Sequence, residues 1–217
     1  DCLSTIDCFR KMGVEINITD DEVIVEGVGL HGLEAPSEAL YTGNSGTTTR
    51  LLCGILAGQP FTVTMSGDPS IQKRPMGRVM KPLREMGASI EGKNDNFCPL
   101  TLFPSELHGI EYRLPVASAQ LKSAILLAGL YAEGQTTVIE PAPSRDHTER
   151  MFRALGVEIE TNGSTITLDP PEDLHAVDIA VPGDISSAAF FLVAGAIVPG
   201  SELTIKNVGV NPTRTGV

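Results

Sequence analysis

A phrase recurs three times along this chain at an interval of roughly seventy residues. In each copy an amphipathic helical stretch ends at a glycine and runs directly into an alternating, strand-like stretch, over 9–16, 83–90 and 152–159. Glycine at this place is typical of a helix C-cap. Because the similarity extends over a whole helix-to-strand step, it indicates a repeated supersecondary unit. This repeat limits the possible folds more than any single motif does.

A second phrase recurs between these copies, where an apolar helical stretch ends in a turn and a strand begins, over 56–63, 131–138 and 197–204. Together the two phrases predict a strand–helix–strand–helix–strand–strand unit. The second unit is predicted as a strand near Leu40, helix 47–57, strand 61–66, helix 75–86, and strands 88–91 and 99–103. The third is predicted as strand 110–114, helix 118–131, strand 136–140, helix 146–155, and strands 157–161 and 164–168.

The predicted helices are of two kinds. One kind is apolar nearly all round, which indicates burial on every side, over 51–57, 121–132 and 188–198. The other kind alternates charged and apolar residues and is expected to face solvent, over 2–12, 75–86 and 146–155. A repeat whose first helix is buried predicts an inside-out α/β fold, with parallel helices inside and sheets outside.

The units at the two ends of the chain are incomplete. The first lacks an opening strand and helix, and the fourth begins at Asp178 and has only one helix and one strand. We therefore expect a piece of a longer chain. It would contain most of a first domain over 1–182 and the start of a second over 183–217.

Charge and composition exclude several classes of function. A net charge of −11 argues against a nucleic-acid partner, and apolar runs such as 188–198 are too short to span a bilayer. The four cysteines form no CxxC pair and no ligand spacing with histidine. We therefore favour buried thiols in a reducing compartment over disulfides or a metal site.

Each of the apolar helices begins with small polar residues, at 45–48, 117–120 and 184–187. If the three helices run parallel, their N-termini converge, and each contributes about half a positive charge. Arg74 and Arg145 occupy equivalent places just before the outer helices and add fixed positive charge. The expected ligand is a small polyanion, a phosphate or a carboxylate.

Local pattern leaves alternatives open at several of these positions. Ser118 could be only an N-cap, and Gln120 needs a backbone or ligand partner if it is buried. Lys122 lies in an otherwise apolar helix. It could contact the ligand, form an ion pair, or extend its ammonium group to solvent. Arg145 and Asp146 could form an exposed ion pair. His147 is expected to be solvated.

Five stretches of the chain resemble the enolpyruvyl transferases, and within that family the branch that acts on shikimate 3-phosphate. They occur in the family's order at 43–50 (GNSGTTTR), 73–76 (KRPM), 116–124 (VASAQLKSA), 144–151 (SRDHTERM) and 182–189 (PGDISSAA). The resemblance implies a two-domain cytoplasmic monomer with three repeats per domain. It also implies transfer of an enolpyruvyl group from phosphoenolpyruvate to the 5-hydroxyl of shikimate 3-phosphate, without metal or cofactor.

The resemblance also implies two sets of ligand contacts, while the family's catalytic groups fall outside this stretch. The phosphoenolpyruvate contacts are Gly46, through its backbone N–H, Arg74 and Gln120. The shikimate 3-phosphate contacts are Thr47, Ser118, Ala119, Gln120, Ser144 and Arg145. Ala119 replaces a serine found in some members, so only its backbone can contribute. His147 stands where some members carry an aromatic residue. The fragment alone is expected to be inactive.

Two other functions compete with this one. The sister transferase that acts on UDP-N-acetylglucosamine typically uses a loop cysteine as its acid, but residues 68–76 contain none and Cys98 is too far along. The remaining alternative is a non-catalytic binding or dimerisation domain built from the same repeats. Binding of shikimate 3-phosphate, of the UDP-sugar or of neither distinguishes the three.

Overall fold

Two complete copies of one βαβαββ unit form the centre of the chain. The computed structural model describes residues 1–214. The second unit contains β3 (Leu40–Tyr41), α2 (Gly46–Ala57), β4 (Val63–Ser66), α3 (Gly77–Glu85), β5 (Ser89–Lys93) and β6 (Phe97–Phe103). The third contains β7 (Glu111–Arg113), α4 (Ala119–Gly129), β8 (Thr136–Ile139), α5 (His147–Ala154), β9 (Ile159–Asn162) and β10 (Thr165–Leu168).

Parts of two further units flank these copies. Before them come α1 (Cys2–Lys11), β1 (Glu15–Ile18) and β2 (Val23–Glu26), and after them comes α6 (Ile185–Ile197). Residues 215–217 of the predicted second-domain stretch lie outside the described residues.

The two four-stranded sheets have the same topology. Their strand orders are β3-β4-β6-β5 and β7-β8-β10-β9. In each sheet the first pair is parallel and the other two pairs are antiparallel. Equivalent strands therefore hold equivalent places, which confirms the predicted repeat.

The inner helices α2 and α4 pack directly against each other. Leu52 and Leu56 of α2 are buried, and so are Leu121 and Ile125 of α4. The contact is closest at Gly54, where an added Cβ would lie 2.2 Å from the backbone oxygen of Ala124. The predicted burial of these two helices, with sheets outside them, is confirmed.

The predicted burial of 188–198 is wrong for this chain. Only Ala188 of α6 is buried, while Phe190 is 80% exposed and Val193 is 56% exposed. The predicted strand after this helix is also absent from the described residues, where a single bridge joins Gly183 to Val208. In the described part of the chain, α6 lacks the close helix partner that α2 and α4 provide for each other.

The exposed side of α6 leads to a prediction about association. We expect amides in 188–198 to exchange faster than those of α2 and α4, or the chain to self-associate through this face. Phe190→Glu should abolish association, because a charge cannot be buried cheaply at an apolar contact. Leu3→Glu changes an equally exposed residue on α1 and serves as the control. A monomer in sedimentation that strongly protects 188–198 would contradict this expectation.

The outer helix of the second unit begins later than predicted. Residues Ile71–Lys73 form a 3₁₀ turn, Arg74 is extended, and α3 begins at Gly77 instead of at Pro75. The Asp68 carboxylate stabilises this turn by accepting hydrogen bonds from the backbone N–H groups of Ser70 and Ile71. Arg74 is thereby presented from a fixed turn.

All four cysteines are free, and three of them are buried as expected. Burial raises the pKa of Cys53 to about 12 and that of Cys8 to about 11, so both stay protonated near neutral pH. Cys2 is exposed, which the expectation of buried thiols did not include. Within residues 1–214, every helix is too short or too polar to cross a membrane.

Candidate anion-binding site

The turn before α2 is held together by its own hydroxyl groups. The Ser45 side chain caps the helix by accepting from the Thr48 N–H at 3.1 Å, and the Thr48 hydroxyl donates to Ser45 Oγ at 2.8 Å. Thr42 and Thr49 hydroxyls share a buried hydrogen bond of 2.8 Å. These contacts fix the helix start at Gly46, where unpaired N–H groups favour an anion.

Two arginines and a glutamine converge on this helix start. Arg50 Nη1 lies 3.1 Å from Gln120 Oε1, and Gln120 Nε2 donates to Thr47 Oγ1 at 2.9 Å. An added Cβ on Gly46 would lie 2.6 Å from Arg50 Nη1 and 3.1 Å from Arg74 Nη1. The structure thus brings together Gly46, Thr47, Arg74 and Gln120, four of the residues predicted from the sequence.

Arg50 also belongs to this cluster, although it was not among the ligand contacts predicted from the sequence. Burial lowers its pKa, and the positive charges of Arg74 and Arg78 lower it further. Such concentrated positive charge is stabilised by a bound anion. Its place in the GNSGTTTR motif was the available signal, but only the packing of α2 on α4 directs its guanidinium to Gln120.

A groove of about 620 Å³ opens beside the start of α4. Its lining joins three stretches that are far apart in sequence: Ala117, Ser118, Ala119 and Gln120; Pro143, Ser144 and Arg145; and Thr213 and Arg214. Five of the six predicted shikimate 3-phosphate contacts line this groove. The sixth, Thr47, is joined to it by the hydrogen bond from Gln120. No cluster of three or more metal-ligating side chains occurs in residues 1–214.

Ser118 has the N-cap role that was one of its possibilities in the sequence. Its side chain caps α4 by accepting from the Leu121 N–H at 3.4 Å, and the residue also lines the groove. The cap places the first turn of α4 toward the groove, with the positive end of the helix dipole.

Arg214 is the second basic residue of the groove. Neither Arg214 nor Thr213 was predicted from the sequence to lie there. Burial lowers the pKa of Arg145, and the positive charge of Arg214 lowers it further, against the opposing charge of Asp184. Arg214 Nη2 donates to Ser186 Oγ at 2.6 Å, which orients it at the start of α6. Arg214 Nη2 also pairs with Asp184 Oδ1 at 3.6 Å, so its charge is partly balanced and Arg145 contributes the larger share of the positive charge that favours an anionic ligand.

Asp146 holds the Arg214 segment over the groove. Its Oδ1 accepts from Asn211 Nδ2 at 2.7 Å and from Thr213 Oγ1 at 3.1 Å. Burial alone would raise the Asp146 pKa, but these hydrogen bonds and one from Arg150 lower it. The sequence left an Arg145–Asp146 ion pair as one possibility, but Asp146 pairs with Arg150 at 2.9 Å and links two chain segments. His147 is exposed, as expected.

Comparison with known proteins places these motifs in one family. The family model described as EPSP synthase (3-phosphoshikimate 1-carboxyvinyltransferase) matches residues 1–217. The chain is 62% identical over its whole length to the 3-phosphoshikimate 1-carboxyvinyltransferase of Geobacillus thermodenitrificans, and covers 50% of that protein. The corresponding protein of Geobacillus kaustophilus is also 62% identical, with 51% covered.

Solved structures agree with this result. A 2.37 Å structure of EPSP synthase from Acinetobacter baumannii superimposes with a TM-score of 0.91 at 53% identity. That match covers 99% of this chain and 49% of the other. The chain therefore spans about half the length of the relatives it matches.

Proposed function

The chain belongs to the EPSP synthase family, and on that basis we propose that the protein carrying it transfers an enolpyruvyl group from phosphoenolpyruvate to shikimate 3-phosphate. In this reaction the 5-hydroxyl group gives its proton to a base and its oxygen bonds to C2 of phosphoenolpyruvate, while C3 gains a proton from an acid. Loss of a C3 proton and of phosphate then restores the double bond. The observation that carries the proposal is a pair of arginine clusters joined through Gln120 at one groove.

Phosphoenolpyruvate is assigned to the cluster at the start of α2. Gly46 would contribute its N–H, Arg74 a charged hydrogen bond to the phosphate, and Gln120 an amide at the boundary with the second substrate. Arg50 adds a half-buried positive charge within hydrogen-bond distance of Gln120. A ligand with a phosphate and a carboxylate matches several cations held close together.

Shikimate 3-phosphate is assigned to the groove. Ser118, Ser144 and the backbone at Ala119 line one wall, Gln120 and Thr47 meet at the end nearest α2, and Arg145 supplies the charge for the 3-phosphate. Arg214 faces the same cavity and is added to this set. Gln120 touches both proposed sites, which would bring the 5-hydroxyl close to phosphoenolpyruvate.

We propose the same domain division as the repeat indicates, with a first domain over 1–182 and the start of a second over 183–217. Both complete units lie in the first part, and the exposed side of α6 fits a helix whose partners belong to further repeats. If further repeats cover the exposed side of α6, no apolar face is left there for association, and we propose that the whole protein is a monomer. Free thiols fit a reducing compartment, and we propose the cytoplasm.

Calorimetric titration of the chain tests the substrate. Shikimate 3-phosphate should bind, and UDP-N-acetylglucosamine should not. Binding of the UDP-sugar alone would support the sister transferase. Binding of neither would support a non-catalytic domain of the same fold.

Arg74→Ala should weaken phosphoenolpyruvate binding much more than shikimate 3-phosphate binding. Loss of a charge-assisted hydrogen bond costs about 1.5–3 kcal/mol, or roughly 10- to 150-fold in affinity. The measurement is the Kd of each substrate, with phosphoenolpyruvate titrated at saturating shikimate 3-phosphate. Lys81→Ala removes an exposed positive charge from α3 and is the control. Equal losses for both substrates would show that Arg74 is assigned to the wrong ligand.

Gly46→Ala should crowd the phosphoenolpyruvate site without unfolding the chain. The new methyl would meet the ends of Arg50 and Arg74, which are flexible enough to move aside. Their displaced guanidinium groups would then occupy space that the ligand needs, so a longer phosphonate analogue should lose more affinity than the substrate. Gly27→Ala, which has open space around the added Cβ, is the control. Equal weakening of substrate and analogue would contradict the close approach at Gly46.

A further inference from the structure

A buried ionic cluster lies behind the wall of the groove. Lys122 of α4 forms ion pairs, which was one of the roles that the sequence left open for it. Its Nζ lies 3.0 Å from Glu140 Oε2 and 2.6 Å from Glu149 Oε1. The three side chains are only 1%, 4% and 2% exposed. The cluster joins α4, the residue after β8 and α5 at one point.

Glu140 connects this cluster to the ligand groove. Its Oε1 accepts a short hydrogen bond from the Ser144 hydroxyl, and its Oε2 lies 3.5 Å from the Ser144 backbone N. The same carboxylate therefore contacts a fully buried lysine on one side and a groove-lining serine on the other. Ser123 and Thr148 share a hydrogen bond of 2.6 Å that ties α4 to α5 beside it.

Stability alone is a poor explanation for such a cluster. Burying charged groups costs free energy that their mutual attraction often only balances, and apolar residues of similar volume frequently serve as well. Here two carboxylates share one ammonium group, and Glu149 Oε2 has no hydrogen-bond partner among the described residues. The contact that distinguishes the cluster from an ordinary core is the one to Ser144.

We infer that Lys122 and Glu149 are positioning residues for the ligand, acting through Glu140. They fix the Glu140 carboxylate, and that carboxylate fixes the loop 141–146, which presents Ser144 and Arg145 to the groove. Asp146 anchors the far end of the same loop to Asn211 and Thr213. The loop is thus held at both ends. The inference deepens the proposed function, on which its ligand, shikimate 3-phosphate, rests.

Glu140→Gln is the informative variant. It preserves size and leaves Lys122 paired with Glu149, one cation with one carboxylate, so no buried charge loses its partner. If the amide presents its NH₂ to Lys122, the contact with the ammonium group is lost; if it presents its NH₂ to Ser144, the hydroxyl can only accept a neutral hydrogen bond in place of the charge-assisted one that it donates to the carboxylate. The variant therefore weakens one of the two anchoring contacts. Lys122→Met, by contrast, leaves two buried carboxylates without a cation and is expected to unfold the chain.

Hydrogen exchange of the unliganded chain measures the anchor directly. In Glu140→Gln, amides in 141–146 should exchange faster while those of α2 and α4 stay as in the unmodified chain. Glu160→Gln, an exposed change on β9, should alter neither. Unchanged exchange in 141–146, or a rise spread evenly over the chain, would overturn the inference.

Ligand affinity measures the consequence. Glu140→Gln should weaken shikimate 3-phosphate roughly tenfold or more, while the Kd for phosphoenolpyruvate at saturating shikimate 3-phosphate stays within about twofold. In a Ser144→Ala background, most of the Glu140→Gln effect should disappear, because both changes act on the ligand through the contact between Glu140 and Ser144. Fully additive effects would mean that Glu140 does not act through Ser144.

A neutral triple variant separates positioning from folding. Lys122→Met, Glu140→Gln and Glu149→Gln together leave the cluster without charge, so the chain should fold and still bind shikimate 3-phosphate weakly. Affinity equal to that of the unmodified chain would overturn the inference. If the unmodified chain binds no shikimate 3-phosphate, the proposed function fails, while exchange in 141–146 still decides whether the anchor exists.

Discussion

The chain by itself should bind shikimate 3-phosphate and yet transfer no enolpyruvyl group from phosphoenolpyruvate. Addition and elimination both need a positioned acid or base, a contribution of about 10²- to 10⁴-fold. Among the described residues that line the groove, none is a carboxylate, a histidine or a lysine. Glu140 and Asp146 lie nearby, but each is already engaged in hydrogen bonds that hold the loop between them. The described lining of the groove thus offers basic and hydroxyl groups for the proposed anion and no carboxylate, histidine or lysine for proton transfer.

Phosphate release and product formation, followed by ³¹P NMR, test this expectation. The chain is assayed alone and after addition of the remaining half of the Geobacillus thermodenitrificans relative, the part of that protein that the chain does not cover. No product is expected from the chain alone, and product on addition would locate the missing acid and base in the added half. Turnover by the chain alone would contradict the division of labour between the halves.

Gly54→Ala should strongly destabilise the packing of α2 against α4. The added Cβ would lie 2.2 Å from the Ala124 backbone oxygen and 3.1 Å from Leu127 Cβ. A backbone carbonyl in a buried helix cannot turn aside, so α2 and α4 must separate. Overpacking of this kind costs about 3 kcal/mol or more, which outweighs the gain of up to about 1 kcal/mol from alanine's helix propensity.

For a chain of this size, the net loss of about 2 kcal/mol or more lowers the Tm by roughly 4–8 °C or more. The measurement is thermal and urea unfolding, with Gly27→Ala as a control that has open space around its new methyl. Because α2 and α4 also carry Gly46, Thr47 and Gln120, the variant should weaken both substrates together. A gain in stability would show that the two helices are not in close contact at Gly54.

Local sequence pattern was sufficient for the repeat and for most of its elements. Hydrophobic periodicity and the glycines after each outer helix depend only on neighbouring residues, so both complete units could be predicted from them. The less accurate predictions concern places where contacts with other parts of the chain determine the local structure or its burial. The outer helix starts at Gly77 because the Asp68 turn holds residues 71–73 in a different conformation, and α6 stays exposed although its composition is that of a buried helix.

Motif positions likewise predicted which residues gather at the site, but not how they are linked. Gly46, Arg74, Ser118 and Ser144 were predicted from the family resemblance, and each also lies at a helix start or in a short polar turn. The sequence did not predict three sets of contacts: Arg50 with Gln120, Lys122 with Glu140 and Glu149, and Asp146 with Asn211. Most of these partners are tens of residues apart along the chain. Their distances depend on how α2, α4 and α5 pack, and side-chain hydrogen bonds are sensitive to shifts of a few tenths of an ångström that no local pattern records.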